Sequence, residues 1–399
     1  MTFPRLQHLL SPLSLLATVA GSAVATSYVL QPLLPQVVKS FPSPSTVTLV
    51  AGASPAGYML GLLFIVPLSL SGKTKYFLVF QICGLSAALL AGSLSISATM
   101  LASTTLFAGA AATIAAQAVS VAVRMNPDRP GHAVGIVAMG TSVGSLLGRV
   151  VGGFLGELLG WRLTLLTFAG ALLVCAVLLQ WLINVPASAE TKSRFFDLAR
   201  KLPSEFRDNA RLRKANIIGW CYYSPFSALW SALALHLASP PLKYGAGVAG
   251  AFGILGIAGA LVVRLSGPAT DRFGAKRIIS TSLTIGLIGL LILYELPLYI
   301  PALILGVLLV DAAAFSAHTA NQTSILSNNE NRDSQTFALF TLIHSTAGIA
   351  GAALGPTLFQ LGGWNLVSFS GASLFVIGLA VTTISRISPT VGSGVARDS

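Results

Sequence analysis

One acid stands alone inside an apolar run. In Leu308-Leu309-Val310-Asp311-Ala312-Ala313-Ala314-Phe315 the carboxylate has no charged neighbour. Desolvation penalises its charge there, so Asp311 can be neutral in one state and ionised in another. Carrying a proton requires that property. His318 follows seven residues on, on the same helix face about two turns away. Gln322 continues that line. The alternative is a buried acid satisfied by polar neighbours. A second charge, Arg149, lies in Gly148-Arg149-Val150-Val151-Gly152. It can serve a cavity or gate as a positive charge. It can also snorkel or pair with Glu157, eight residues on, and be structural. His344 reads as an ordinary polar packing residue.

These side chains need elements to hold them. Around Arg149, glycine recurs at every fourth position: Gly140, Gly144, Gly148, Gly152, Gly156 and Gly160, with Gly153 beside the ladder. In water each interior glycine would cost about 1 kcal/mol against alanine. In lipid the backbone has no other partners, so the helix holds. Small residues then let a second helix approach to backbone distance. The spacing follows one ridge of the helix surface.

Composition gives the same solvent. The 399 residues are 54% hydrophobic and 9% charged, with a mean hydropathy of +0.79. Soluble domains carry roughly 25% charged residues. The net charge of +12 therefore reports where loops face, and nucleic acid is not a partner. Cys83, Cys175 and Cys221 lie in apolar runs without metal or disulfide spacing and read as small buried hydrophobes. No metal and no cofactor is expected. The N-terminal apolar run continues through Leu34, which favours a first membrane helix over a cleaved leader.

Runs long enough to span a bilayer need about 20 residues. Such runs lie at 13–35, 46–70, 76–96, 98–123, 132–158, 162–184, 214–237, 245–267, 277–296, 298–326, 334–361 and 364–386. With the N-terminus in the cytoplasm, Lys and Arg crowd the inside loops. Only Lys39, Arg162 and Lys243 fall outside, and Arg149 lies within the membrane. That bias puts both termini in the cytoplasm and supports an even helix count. Of twelve Asp and Glu, only Asp311 lies in mid-membrane.

The chain divides into an N-terminal bundle of six helices (1–184), a cytoplasmic linker (185–213) and a C-terminal bundle of six (214–399). The linker interleaves Lys192, Arg194, Arg200, Lys201, Arg207, Arg211 and Arg213 with Phe195, Phe196, Leu198, Leu202 and Phe206. It reads as an amphipathic helix on the membrane surface, with anionic lipid heads as a second use. The halves repeat at an offset of 203. Gly160-Trp161-Arg162 falls against Gly363-Trp364-Asn365, and Asp128-Arg129 against Asn331-Arg332. Trp161 and Trp364 read as outer interface anchors. A parallel six-helix repeat with a site at the midplane is a transporter architecture.

Two motifs carry a resemblance. Gly267-Pro268-Ala269-Thr270-Asp271-Arg272-Phe273-Gly274-Ala275-Lys276-Arg277 resembles the cytoplasmic loop signature of the major facilitator superfamily. Asp271 can cap a helix or pair with an arginine, a latch that holds the cytoplasmic gate shut and breaks on opening. A plain basic turn is the alternative. In the first half, Pro67 to Lys75 keeps Gly72, Lys73 and Lys75 but has no Asp. Gly144-Ser145-Leu146-Leu147-Gly148-Arg149-Val150-Val151-Gly152-Gly153 resembles the helix-five signature of the antiporter branch, with Arg149 in place of its proline. In that superfamily helices one, four, seven and ten line the cavity. The resemblance therefore implies cavity roles for Tyr28, Gln31, Gln117, Tyr222, Tyr223 and Trp230.

Three other patterns carry no chemistry. Gly140-Thr141-Ser142-Val143-Gly144 spells a hydrolase elbow inside a helix. Gly72-Lys73-Thr74 ends like a phosphate loop, but Pro67 fills the required first glycine. Asn321-Gln322-Thr323 is a glycosylation sequon at a cytoplasmic helix end. No catalytic constellation is present, so the protein is not expected to be an enzyme.

The expected protein is all-α: twelve membrane helices in two pseudo-symmetric bundles, in the plasma membrane, acting as a monomer. It would export a small organic molecule in exchange for protons. Uptake by symport or facilitated diffusion is the alternative, and a non-transporting sensor a remote one.

Overall fold

The computed structural model describes residues 11–69, 74–183, 204–325 and 330–384. Among them every regular element is a helix. The first half runs α1 (Pro12–Tyr28), α2 (Leu34–Ser40), α3 (Pro44–Ser69), α4 (Thr74–Ser93), α5 (Ala98–Ala111), α6 (Ile114–Met125) and α7 (Pro130–Leu182). After a short helix at 204–208 come α8 (Ala210–Ala238), α9 (Ala246–Ala251), a 3-10 turn (Phe252–Leu255) and α10 (Gly256–Phe273). The half ends with α11 (Ala275–Glu295), α12 (Ile300–Ile325) and α13 (Glu330–Ile384).

Among the described residues, seven stretches are long and apolar enough to cross a bilayer. Two of them, in α7 and α13, are hairpins. Gly160 adopts φ 78°, and Gly363 φ 67°. Only glycine reaches that region without strain, so the chain reverses there. Packing confirms the reversal. A Cβ at Gly144, before the turn, would strike Gly21, while Cys175, after it, lies 3.7 Å from the Ser22 hydroxyl. In α13, Gly351 abuts Ser224 and Gly371 abuts Pro225. Apart from the short helix at 204–208, and with α1–α2, α5–α6 and α9–α10 each taken as one interrupted helix, the described residues hold twelve helical segments in the expected order.

The buried apolar side chains form one cluster from Leu13 to Ile183 and another from Ile218 to Phe375. Each half thus has its own core, with a small extra cluster around Leu212 and Phe340. The glycine ladder does what its spacing demands. A Cβ at Gly140, Gly144 or Gly148 would run into the carbonyl oxygens of Ala17, Gly21 or Ala25 on α1. Gly152 and Gly156 lie against Val29 and Leu33, and Gly153 faces Gly250 of the other half. In the second half Gly351 and Gly355 meet the Ser224 and Ala228 carbonyls on α8 in the same manner.

Three expectations are corrected. Trp161 and Trp364 are only 4% and 3% exposed, so they are not interface anchors. The glycine turn before each tucks the ring inwards. The indole N–H groups donate to Ser40 Oγ at 3.0 Å and to the Leu293 carbonyl at 3.1 Å. Cys83 is exposed on the outer surface of α4, whereas Cys175 and Cys221 are buried. Arg149 does not pair with Glu157: that carboxylate accepts the Gly247 N–H at 2.6 Å. Most of the 185–213 segment and the Gly72-Lys73 turn lie outside the described residues.

Candidate functional site

Between the halves lies a cavity of about 410 Å³. The interrupted and glycine-rich helices position its walls. At the end remote from the basic loops, the halves meet. Thr48 and Thr357 hydroxyls are 2.7 Å apart, and Gly247 N–H donates to Glu157 across the halves as well. Gly250 and Gly253 press on the backbone and Cβ of Arg149. At the basic end, Gly131 and Gly135 of α7 and Gly267 of α10 face open space.

Arg149 is 8% exposed and lines the cavity. Its Nε donates to Gln31 Oε1 at 2.9 Å. The guanidinium carbon lies 4.1 Å from the Tyr28 ring centre and 4.4 Å from that of Trp230, so two aromatic faces hold the cation. Trp230 belongs to the other half. Its indole N–H donates to Asp311 Oδ1 at 2.8 Å. Asp311 is 1% exposed and does not line the cavity. The lone carboxylate therefore stands one side chain behind the wall, joined to it through Trp230.

Towards the basic end, His318 lines the cavity. Its Nδ1 is 3.1 Å from the Tyr222 hydroxyl, and its Nε2 3.0 Å from Gln322 Nε2. Tyr222 is fully buried and stands behind the wall, against His318. Tyr223, Tyr28, Gln31 and Trp230 line the cavity. Gln117 does not. It donates to Gln81 Oε1 at 2.8 Å, and Gln81 Nε2 donates to the Ala111 carbonyl at 2.7 Å. These amides occupy the break between α5 and α6, where helix carbonyls lose their intrahelical donors.

The loop after α10 is exposed. Gly274 turns it with φ 82°, and Lys276 Nζ donates to the Thr383 carbonyl at 3.2 Å. Arg272 and Arg277 lie over the Phe273 ring at 5.1 and 6.0 Å. Among the described residues Asp271 makes no ion pair, and α11 has no side-chain cap.

Several lining residues escape a search for charges: Ser54 and Tyr58 on α3, Phe226 on α8, Phe315 on α12, and Thr341, His344 and Ser345 on α13. The signal was present as spacing. Ser54 and Tyr58 are four apart, and Thr341, His344, Ser345 and Gly348 mark one helical face. His344 stacks on Tyr223 at 4.3 Å. Neither of its ring nitrogens has a partner among the described residues.

A cavity between two repeated bundles is a carrier's geometry, and the family comparison agrees. Residues 16–267 match the family model of the Major Facilitator Superfamily. The chain belongs to this superfamily. The uncharacterized transporter YgaY of Escherichia coli O157:H7 is 31% identical over 385 residues, 96% of this chain and 97% of its own length. A probable transporter of Streptomyces coelicolor is 30% identical over 384 residues, 93% of this chain and 87% of its own. Among solved structures, the nucleoside transporter NupG is similar with a TM-score of 0.73 and 13% identity, over 94% of this chain and 100% of its own. A bacterial homolog of the human lysosomal transporter Spinster, inward-facing and occupied, is similar with a TM-score of 0.70 and 15% identity, over 93% and 92%. At such identities the likeness concerns the fold. The protein is an integral membrane transporter of the facilitator type, with a small molecule as its substrate.

Proposed function

We propose that the protein exports a small organic molecule, a drug, metabolite or sugar in the broad sense, in exchange for protons by alternating access. It works as a monomer in the plasma membrane, among lipids, with both termini cytoplasmic and no covalent chemistry of its own. The observation that carries this reading is the chain Arg149–Trp230–Asp311. Arg149 belongs to one half and the other two to the second. An ionised Asp311 strengthens the bond from the indole and attracts the cation across it. A protonated Asp311 weakens both. Proton binding thereby changes how firmly the halves hold each other at the substrate cavity, which is the coupling that exchange needs.

The contacts at the far end and the open space at the basic end suit a cytoplasm-facing state. The unpaired Asp271 suits a released latch. Uptake by symport or facilitated diffusion is the second reading, favoured by Arg149 standing where the exporting branch has its helix-bending proline. Transport into reconstituted vesicles, with and without an imposed pH gradient, tests the proposal. Accumulation against a gradient of substrate only when protons flow the opposite way supports exchange. Accumulation with protons flowing the same way would replace it by symport.

A further inference from the structure

We propose that the cavity takes an organic anion with a flat aromatic body, its carboxylate held by Arg149. The inference rests on the reading of this cavity as the substrate site and adds the chemistry of what enters it.

Arg149 is the one charged side chain among the described lining residues. It forms no ion pair with any carboxylate among the described residues. Of its five N–H groups, Nε serves Gln31, and Nη1 makes only a long contact of 3.4 Å with the Ser145 carbonyl. The remaining donors have no partner among the described residues, and their fork matches a carboxylate. A buried cation without a counterion is costly, and a bound anion relieves that cost. A cationic ligand would meet repulsion instead. Asp311 cannot contact such a ligand, because Trp230 covers it.

Aromatic rings line the path away from Arg149. Tyr223 and Phe226 stack at 5.7 Å with their planes 15° apart, and Phe226 meets Phe315 edge-on at 5.7 Å. Tyr223 also stacks on His344. A flat apolar body fits against such a ladder. At its end the His344 ring closes the ladder, with both nitrogens buried and without a partner among the described residues. The site thus selects an anion at one end and a flat apolar body along its length.

The test uses the purified full chain and three probes: 2-naphthoate, 2-naphthamide and 2-naphthylmethylamine. Calorimetry and thermal shift should show the naphthoate binding at least about tenfold more tightly than the amide or the amine. Arg149→Gln should abolish that preference, and Arg149→Lys should keep part of it. If the Arg149 variants do not fold, phenylglyoxal labelling of the wild type replaces them: naphthoate, and not naphthamide, should protect Arg149. Amine binding as tight as naphthoate, no naphthoate binding, or labelling of Arg149 unaffected by naphthoate overturns the proposal. Naphthoate that binds as expected but ignores a pH gradient in vesicles leaves the anion site standing and removes proton-coupled export.

Discussion

Trp230 turns its indole N–H onto Asp311, which the cavity does not reach, with 2.8 Å between Nε1 and Oδ1. The same ring carries the Arg149 guanidinium 4.4 Å above its centre. One side chain thus touches the substrate space on its face and the buried acid on its edge. Chemistry at Asp311 can be felt in the cavity without any solute touching the carboxylate.

If Asp311 carries the coupling proton, Asp311→Asn keeps size and hydrogen bonding but cannot release it. Insertion and substrate binding should survive, because the amide mimics the protonated acid. Accumulation driven by a pH gradient should vanish, while substrate exchange across the membrane continues. Asp311→Glu should retain partial coupling with a displaced pH optimum. Trp230→Phe should remove the donor, costing roughly 1–3 kcal/mol of stability, and should weaken coupling more than binding. A full response to the gradient in Asp311→Asn would place the proton elsewhere. His318 is then next, since an imidazole ordinarily titrates near 6.5.

The glycine ladder gives a graded test. Alanine at Gly144 or Gly148 would drive a methyl into the Gly21 or Ala25 carbonyl, and backbone cannot retreat as a side chain can. Each should lower folded yield and melting temperature, by about 1–3 kcal/mol or more. Gly152 faces the Val29 methyl at 3.0 Å, so Gly152→Ala should be milder and Gly152→Leu severe. Gly84 and Gly170 meet nothing within 4 Å, and alanine there should be harmless. Equal yields for Gly148→Ala and Gly84→Ala would show that the α1–α7 approach is looser than described.

How much of this was legible depended on what physics leaves in the sequence. Gly140 to Gly156 announced a backbone contact, because a four-residue glycine period has few other uses in a lipid-facing helix. The 203-residue offset announced the repeat of the halves, and the structure adds that Gly160 and Gly363 both turn the chain with positive φ. Partners were not legible. Nothing in the sequence says that Trp230 meets both Arg149 and Asp311, or that Gln117 belongs to Gln81, because these contacts join segments 36 to 81 residues apart. Trp161 and Trp364 misled for a related reason. A tryptophan at a helix end suits a membrane interface, but a tight glycine turn carries it inside. His344 was passed over because its neutral ring costs little in an apolar run. Only the structure shows its ring stacked on Tyr223, with both nitrogens buried and without a partner among the described residues.

Orientation follows from the loops. Lys75, Arg124, Arg129, Arg211, Lys276 and Arg277 belong to the end of the bundles that the proposed orientation puts in the cytoplasm. Tags at both termini and within 185–213 should report the cytoplasmic side in whole cells. A reporter placed after Lys243 should report the opposite side. An outside signal from 185–213 would invert the map and the direction of transport read from it.

The far-end contact can be locked. A Cβ built on Gly52 lies 3.2 Å from the Ala353 Cβ, and these positions belong to opposite halves. Disulfides form with Cβ atoms at about 3.8 Å, so the pair Gly52→Cys and Ala353→Cys needs little movement to close. Cys83, Cys175 and Cys221 would first be replaced by serine or alanine to leave one bridge. If this end must part for solute to leave, oxidation should arrest transport and a reductant should restore it. Binding from the basic end should persist throughout, because the bridge holds the state in which that end is open. Either cysteine alone should leave transport unaffected by oxidant. Complete cross-linking with undiminished transport would mean that solute passes without separation of α3 from α13, and the alternating-access reading would fall.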